Sequence, residues 1–347
     1  MSNAHPTSPR EILVLGSGNF GTCLAQHLAH QGHRVLMWGR SQELAREINE
    51  HHRNPRYLAQ ISLSPSLTAT TELLDSQLAH TRFLILALPT QSLRQVLRTL
   101  KSKLNPQCTI VCASKGIENE SLSFPYYIIR AELGEGLFAR TAILSGPSFA
   151  SEVAEQQPTA VSVAAKDGEI ARSIQELFHT SFFRVYTTLD PIGLEVAGAL
   201  KNVIALASGA ASGLGFQQNA KAALLARGIA EITRIGVALG ADPLTFLGLG
   251  GVGDLFLTCT SEKSRNFTVG YRLGKGEKLE TVLATLGSVA EGVSTARAAF
   301  ALTTQLKVDA PIIHEVYAVL YQGVTIKDAL FNLLNREMKA EVSLPYK

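Results

Sequence analysis

The chain has 347 residues, of which 46% are hydrophobic and 18% are charged, and its formal net charge is +3 at pH 7. This length exceeds that of one ordinary domain, and the composition is that of a compact globular protein, which excludes a disordered or fibrous chain. Because the lysines and arginines are scattered along the sequence, we predict no nucleic-acid-binding face and no basic membrane-binding helix.

From Glu11 onward, apolar runs typical of strands alternate with helical segments. The runs EILVLG, FGTCLAQHLAHQG and HRVLMWGR predict a strand, a helix and a second strand, the unit that connects parallel strands. Five further strands are predicted at RFLILALP, CTIVCASKG, TAILSGPS, TAVSVAA and FFRVYTT. Their continuous apolar character favours a largely parallel sheet of about eight strands that is covered by helices on both faces.

The first strand is followed by a glycine-rich turn. Gly16, Gly18 and Gly21 match the pattern G-x-G-x-x-G, and the motif opens the first helix. Glycines at these positions permit a tight turn and a close approach of the backbone to a pyrophosphate, which the helix N-terminus then faces. We therefore predict a dinucleotide site, with a purely structural turn as the alternative.

The second strand ends at Arg40, where a site that prefers NAD usually has an acidic residue for the ribose hydroxyls. An arginine can pair with the 2′-phosphate of NADP and stack on adenine. The sequence therefore favours NADPH or NADP and leaves NADH or NAD as a second cofactor. The alternative interpretation is a solvated arginine.

Two later strands end in polar residues. Lys115 ends the strand in VCASKG, and Gly146 and Ser148 follow the strand in LSGPS. In an open α/β sheet, the carboxyl ends of the strands border the ligand crevice. Each of these residues alone could be an ordinary polar loop residue. Together with Lys201, which lies later in the chain, they indicate an anionic or carbonyl-bearing substrate.

Strand signals end at LDPIGLEVAGALKNV. Asp190 is a suitable helix cap and Pro191 suits the first helical position. We therefore predict an α/β protein: an N-terminal Rossmann-type doubly wound sheet over residues 10–189, followed by an all-helical C-terminal domain over residues 190–341. The predicted helices of the second domain span residues 193–212, 219–239, 294–305, 312–321 and 325–334, with the glycine-rich stretch GLGGVGDLFLT after the second of them.

Lys201 lies in a segment that is apolar almost all round, where an unpaired ammonium is unfavourable. Burial lowers a lysine pKa toward neutrality, so that the side chain can exchange a proton with a substrate hydroxyl or carbonyl. The alternative is a structural lysine paired with Glu195 or Asp254. Small residues on the same helix face are expected to leave room for a ligand: Ala197, Gly198, Ala205 and Ser208.

The stretch GDLFLTCTSEKSRNF supplies further polar groups. Asp254 and Thr258 lie one helical turn apart, and Ser264, Arg265 and Asn266 follow them. Arginine is a natural bidentate partner for phosphate, and the alternative is a solvated arginine beside a capping asparagine.

The cysteines and the N-terminal residues predict a reducing compartment. The opening residues MSNAHPTSPR lack the apolar core of a signal peptide, and the longest apolar run, near residue 200, is interrupted by Lys201 and Asn202. We therefore expect a cytoplasmic protein without membrane insertion. Four cysteines without metal-type or disulfide-type spacing are expected to be buried free thiols: Cys23, Cys108, Cys112 and Cys259.

Taken in order, these motifs resemble the NAD(P)-dependent glycerol-3-phosphate dehydrogenase family in its bacterial-type form. The motifs that carry the resemblance are GSGNFGT, SKGIE, SGPSFASE, ALKNVIALASG, GVGDLFLT, SRN and VAEGV, and it covers nearly the whole chain. It implies reversible NAD(P)H-dependent reduction of dihydroxyacetone phosphate to sn-glycerol 3-phosphate, which feeds glycerophospholipid synthesis.

The resemblance also implies roles for individual residues. Lys201 would exchange the proton of the reacting hydroxyl, and the other residues of the catalytic group would be Lys115, Asn202, Asp254 and Thr258. The implied substrate contacts are Lys115, Gly146, Ser148, Lys201, Asp254, Ser264, Arg265 and Asn266, of which Arg265 and Asn266 suit the phosphate best. The implied cofactor contacts, with the glycine motif, are Gly16, Gly18, Asn19, Phe20, Gly21, Arg40, Lys115, Ala150, Arg265, Val289 and Glu291.

The match has two departures, because family members often have Trp or Tyr in place of Phe20 and a smaller residue in place of Ser17. No metal is expected, since no histidine or carboxylate cluster has metal-ligand spacing. The alanine-rich helical domain is compatible with a homodimer, which is the assembly we expect. Two alternatives remain open: a related two-domain dehydrogenase of hydroxy acids or sugar acids, and a non-catalytic dinucleotide-binding sensor.

Overall fold

The computed structural model of the protein describes residues 10–287, 289–338 and 340–341. The N-terminal residues 1–9, on which the absence of a signal peptide was argued, lie outside the described residues. The strands are β1 (Glu11–Leu15), β2 (Arg34–Trp38), β3 (Leu67–Thr70), β4 (Phe83–Leu86), β5 (Thr109–Cys112), β6 (Thr141–Ser145), β7 (Thr159–Ala165) and β8 (Phe183–Thr188). They form one sheet in the order β3-β2-β1-β4-β5-β6-β7-β8, and all neighbouring strands are parallel except β6 and β7.

Helices cover both faces of this sheet, because alternate residues of the apolar strands point to opposite sides. In β1, Ile12 and Val14 join one buried cluster, while Leu13 and Leu15 join another on the opposite face. The prediction of a doubly wound sheet is confirmed. Its helices are α1 (Asn19–His30), α2 (Gln42–His51), α3 (Asp75–His80), α4 (Thr90–Leu100), α5 (Pro125–Leu133), α6 (Glu135–Phe138), α7 (Ala150–Ala154) and α8 (Gly168–Phe178).

After β8, the described residues form only helices and their connections, as predicted. Asp190 caps the first of them, since its Oδ1 accepts a hydrogen bond from the Gly193 N–H at 3.0 Å, and Pro191 occupies the first turn. The exact division between residues 189 and 190 stays a prediction. These helices are α9 (Pro191–Gly213), α10 (Gln218–Ala238), α11 (Asp254–Thr260), α12 (Arg265–Gly274), α13 (Leu279–Thr285), α14 (Glu291–Leu306), α15 (Pro311–Tyr321) and α16 (Ile326–Leu334).

Helix α9 is the central element of the helical part and packs against α10, α11, α12 and α14. Among the described residues, it alone is long and apolar enough to cross a membrane by length and composition. However, 89% of its most apolar window is buried within the protein, and the core helix of a globular protein meets the same criteria.

All four cysteines are buried and unpaired, as predicted from their spacing. Burial raises the pKa of Cys23, Cys108 and Cys259 to about 12, so these side chains stay protonated thiols near neutral pH.

The contact between α9 and α12 depends on glycine. A methyl group at Gly270 would overlap the backbone carbonyl of Leu206, and one at Gly209 would overlap that of Phe267. The two helix backbones therefore approach each other more closely than any larger side chain permits.

We expect the Gly270→Ala substitution to lower the free energy of unfolding by about 2 to 3 kcal/mol, because the added methyl forces the two helices apart. Urea denaturation measures this change. Gly136→Ala is the matched control, since a methyl there has no neighbouring atom within 4 Å and Gly136 is also helical. Equal effects of the two substitutions would contradict the close-packing explanation.

Candidate active site

A cleft of about 460 Å³ lies at the carboxyl ends of the parallel strands, beside the point where the strand order reverses between β1 and β4. Open α/β sheets bind their ligands at this position. Helices α9, α11, α12 and α14 supply the opposite wall. Every site residue predicted from the sequence lines this cleft except Gly21, so the structure brings together residues that lie up to 275 positions apart, from Gly16 to Glu291.

The three motif glycines have three different surroundings. Gly16 has a φ of +120°, which a side chain would strain, and a methyl on Gly21 would overlap the Gly16 carbonyl. A methyl on Gly18 has no neighbour within 4 Å, so the turn is open on the side that faces the cleft. Gly21 is thus required for packing of α1 on the turn, while Gly18 leaves room for a ligand.

The N-terminus of α1 faces the cleft with unsatisfied polar groups. Its cap, Gly18, has no side chain to accept a hydrogen bond from the first turn, and the buried Oδ1 of Asn19 has no hydrogen-bond partner among the described residues. Unpaired helix N–H groups favour an anion such as a pyrophosphate. The turn therefore fits a dinucleotide. Ser17 is accommodated because its side chain lies beside Gly39, where a methyl would come 2.8 Å from Ser17 Cβ.

The remaining predicted cofactor contacts lie around the same cleft. Arg40 is exposed just after β2, Phe20 is in the first turn of α1, and Ala150 begins α7. Across the cleft, Val289 is 56% exposed and Glu291 begins α14. Burial raises the pKa of Glu291 to about 7, although the charge of Arg265 opposes this rise.

Lys201 and Lys115 share one carboxylate at the inner end of the cleft. Lys201 Nζ donates to Oδ1 of Asp254, and Lys115 Nζ donates to Oδ2 at 2.7 Å. Lys201 also donates to the Thr258 hydroxyl at 2.8 Å, and that hydroxyl donates to the Asp254 carbonyl at 2.7 Å. Asp254 is 1% exposed and Lys201 is 7% exposed, so these charges are nearly removed from water.

Burial and neighbouring charge set the proton affinity of this cluster. Burial lowers the pKa of Lys201 to about 8, the Asp254 carboxylate opposes this fall, and the positive charge of Lys115 adds to it. Burial alone would raise the pKa of Asp254, but the two ammonium groups outweigh it and hold that pKa below its ordinary value. Lys201 is therefore positioned to gain or lose a proton near neutral pH.

The structure distinguishes between the two partners considered for Lys201. Asp254 pairs with it, whereas the Glu195 carboxylate accepts a hydrogen bond from the Tyr126 backbone N–H at 2.8 Å. The ion pair expected of a purely structural Lys201 is therefore present, but Lys201 also lines the cleft, where a ligand could reach it.

The expectation that small residues beside Lys201 leave room for a ligand is wrong, because none of the four small residues lines the cleft. A methyl at Gly198 would lie 3.0 Å from the Ser145 hydroxyl and 3.6 Å from Lys115 Cδ, so protein groups fill that space. Ser208 donates to the Cys259 carbonyl at 2.7 Å. The small side chains let β6, α11 and Lys115 approach the helix.

The SRN motif forms the N-terminus of α12. The Ser264 hydroxyl accepts a hydrogen bond from the Phe267 N–H at 3.2 Å and so caps the helix. Asn266 donates to Oδ1 of Asn202 at 2.9 Å and accepts from the Gly292 N–H at 2.9 Å. Its amide thus joins α9, α12 and α14, while Arg265 lines the cleft from the first turn.

Gly146 and Ser148 form the wall that follows β6. Gly146 has a φ of +147°, and a methyl there would lie 2.8 Å from Val161 Cα, so glycine is required. The Ser148 hydroxyl donates to the Gly146 carbonyl at 3.0 Å and stabilises the turn.

Other residues of the wall were not predicted as site residues. Leu88, Pro89 and Ser114 follow β4 and β5, and the rule that strand ends border the crevice would have identified them. Tyr57 and Lys263 come from connections without a distinctive pattern. Phe149 and Leu257 lie in the motifs SGPSFASE and GVGDLFLT, from which they were not selected as site residues. No cluster of three or more metal-ligating side chains is found in the described ranges.

Comparisons with known proteins point to one family. The sequence models for the N-terminus and the C-terminus of NAD-dependent glycerol-3-phosphate dehydrogenase match residues 11–171 and 190–331. The glycerol-3-phosphate dehydrogenase (NAD(P)+) of Staphylococcus haemolyticus is 43% identical over 331 residues, which are 95% of this chain and 99% of that protein.

Solved structures agree as well. Glycerol-3-phosphate dehydrogenase from Coxiella burnetii has a TM-score of 0.89 at 32% identity, over 94% of this chain and 99% of that one. The enzyme of that name from Saccharomyces cerevisiae has a TM-score of 0.81 at 28% identity, over 95% of this chain and 100% of that one.

Proposed function

The chain belongs to the NAD-dependent glycerol-3-phosphate dehydrogenase family of oxidoreductases, and we propose that it reduces dihydroxyacetone phosphate with Lys201 as the group that exchanges the proton. The observation that supports this role is the buried cluster of Lys201, Asp254 and Lys115 at the inner end of a cleft that begins at the glycine turn. Bound in this cleft, the nicotinamide would supply a hydride to C2 of the ketone.

The dinucleotide would lie along the mouth of the cleft. The open side of Gly18 and the N–H groups at the N-terminus of α1 would hold the pyrophosphate. The unpaired Oδ1 of Asn19 is an acceptor and would take a hydrogen bond from a hydroxyl or amide group of the dinucleotide. Exposed Arg40 would pair with the 2′-phosphate of NADP, which makes NADPH the preferred cofactor in this proposal. Glu291 and Val289 would contact the cofactor from the opposite wall.

Lys201 has one N–H group available for the substrate. A lysine ammonium has three donors, of which Asp254 and Thr258 take two. The third would donate a proton to the oxygen that develops negative charge when the ketone is reduced. In the reverse direction, neutral Lys201 would accept that proton from the alcohol.

The substrate phosphate would bind at the start of α12. The Arg265 guanidinium can form two parallel hydrogen bonds with a phosphate. The first N–H groups of α12 would also face it, with the positive end of the helix dipole. The Asn266 side chain is engaged with Asn202 and Gly292, so we assign its contribution to the backbone N–H. Ser148 and Gly146 would close the wall beside the substrate.

We further propose that the product serves glycerophospholipid synthesis and that the protein acts as a cytoplasmic homodimer. The role of the product rests on the resemblance to the family, and the homodimer on the composition of the helical part. The cytoplasmic location rests on the four buried free thiols.

We expect rapid NADPH oxidation with dihydroxyacetone phosphate and little with unphosphorylated dihydroxyacetone, measured by nicotinamide absorbance. The Lys201→Met variant should lose about 10²- to 10⁴-fold in kcat, because a positioned proton donor contributes that much, while NADPH binding measured by fluorescence stays within twofold. Lys278→Met, at an exposed position outside the cleft, is the control. Activity of Lys201→Met within a few-fold of the parent would refute the assigned role.

The pH dependence should have opposite signs in the two directions. Because burial lowers the pKa of Lys201 to about 8, kcat/KM for ketone reduction should fall above about pH 8, where the ammonium is lost. The same parameter for alcohol oxidation should rise with pH and level off above about 8. Profiles that change in the same direction for both reactions would count against Lys201 as the titrating group.

Arg40→Ala should weaken NADPH binding by at least about tenfold and NADH binding by less than about twofold, because only NADPH carries the extra phosphate. Fluorescence titration with each cofactor measures the effect. Arg46→Ala removes an exposed arginine from α2 outside the cleft and serves as the control. If both cofactors are weakened equally, Arg40 does not select the phosphate.

A further inference from the structure

Lys115 lies on a segment that is held from behind the cleft by an ion pair. Resting on the proposed function, we infer that Arg94 and Glu118 are positioning residues, which keep Lys115 on Asp254 by fixing the connection between β5 and α5. Neither side chain lines the cleft.

The ion pair is partly shielded and doubly hydrogen-bonded. Arg94 Nε donates to Glu118 Oε1 at 2.9 Å, and Nη2 donates to Oε2 at 2.7 Å. Only 22% of the Arg94 side chain and 9% of the Glu118 side chain are exposed. Nη1 of Arg94 donates to Glu132 of α5 at 2.6 Å, so one guanidinium joins α4, the connection and α5. A forked arginine of this kind fixes orientation as well as distance.

Helix α4 also holds the backbone on both sides of Glu118, through Gln91. The Gln91 side chain donates to the Ile117 carbonyl at 2.8 Å and accepts from the Asn119 N–H at 3.1 Å. The Ser121 hydroxyl donates to the Glu118 carboxylate. Residues 117–119 are therefore fixed to α4 by both backbone and side-chain bonds.

The link from Glu118 to Lys115 is short and conformationally restricted. Between them, Gly116 has a φ of +139°, and a methyl there would lie 3.0 Å from the Thr90 hydroxyl of α4. On the other side of this glycine, Lys115 Nζ reaches Asp254 at 2.7 Å. A shift of the connection away from α4 would therefore move Lys115 relative to Asp254.

The position of Lys115 affects the pKa of Lys201, so loss of the Arg94–Glu118 ion pair should change that pKa as well as the stability of the protein. The titratable groups that face Lys201 are Asp254 and Cys259 from α11 and Lys115 from the connection. The positive charge of Lys115 lowers the pKa of Lys201. If Lys115 leaves the cluster, Lys201 loses a repulsive neighbour and holds its proton more tightly.

The test compares the double variant Arg94→Gln/Glu118→Gln with the parent protein. Removing both charges avoids leaving one of them unpaired in a shielded position. We expect the inflection in the pH profile of kcat/KM for glycerol 3-phosphate oxidation to move to higher pH by at least about half a unit, and kcat to fall several-fold. Arg98→Gln is the matched control, because Arg98 Nε donates to Glu132 at 3.1 Å, whereas its charge acts on Glu118 only through space.

A second readout does not need turnover. The rate at which an amine-reactive acylating probe labels Lys201, followed by peptide mass spectrometry, rises as the lysine loses its proton. The double variant should show the same shift to higher pH in this labelling curve, and Arg98→Gln should show none. If the double variant unfolds during the assay, Glu118→Asp, which keeps the charge on a shorter side chain, should give a smaller shift in the same direction.

Unchanged pH curves in a folded double variant would overturn the inference, even if its melting temperature fell. An equal shift in Arg98→Gln would also overturn it, because the effect would then be general. If the parent protein turns over neither dihydroxyacetone phosphate nor glycerol 3-phosphate, the proposed function fails, and the labelling curves still decide the positioning role.

Discussion

The Asp254 carboxylate, buried and shared by two lysines, is the interaction on which the site depends. Each of the three charges would be unfavourable alone at this depth, since removing one ion from water costs several kcal/mol after relaxation. Together they form hydrogen bonds to one another, and Thr258 adds a further acceptor for Lys201. Lys115 follows a strand, while Asp254 and Lys201 lie on helices, so the cluster also joins the sheet to the helical part.

The packing of α9 follows from the need to bury Lys201 beside Asp254. A helix that presents Lys201 to the inner end of the cleft must be surrounded by protein, and its small residues permit this. Gly209 allows α12 to approach closely, and Gly198 admits the Lys115 side chain. Because α12 is held so closely, its N-terminus and Arg265 face the same cleft as Lys201. Close helix packing thus sets the separation between Lys201, the proposed proton-exchanging group, and the proposed phosphate site.

Features that depend on one short stretch of the chain could be predicted from the sequence. The glycine turn, the cap at Asp190 and a lysine in an apolar helix are local patterns, and all three were placed correctly. Strand β3 was missed because LTAT has one large apolar residue and lacks the continuous apolar run that marked the other strands. Helices α12 and α13 were missed because tertiary packing stabilises them. Helix geometry could have excluded Glu195 as a partner for Lys201, since six residues correspond to about 600° of rotation, which places the two on different faces. Selecting Asp254 required the fold.

The net charge of the cluster links substrate binding to proton exchange. One carboxylate and two ammonium groups leave a single positive charge, and Arg265 adds a second nearby, which matches a phosphate of about −1.5 to −2. In the proposed complex, that phosphate would raise the pKa of Lys201 above its value in the free protein, because a nearby anion favours the ammonium. The phosphorylated ketone would therefore keep Lys201 protonated, which is the form that reduction of the ketone needs. An unphosphorylated ketone would lack this effect as well as the contact with Arg265, so in the proposed mechanism the phosphate would contribute to the chemical step and not only to binding.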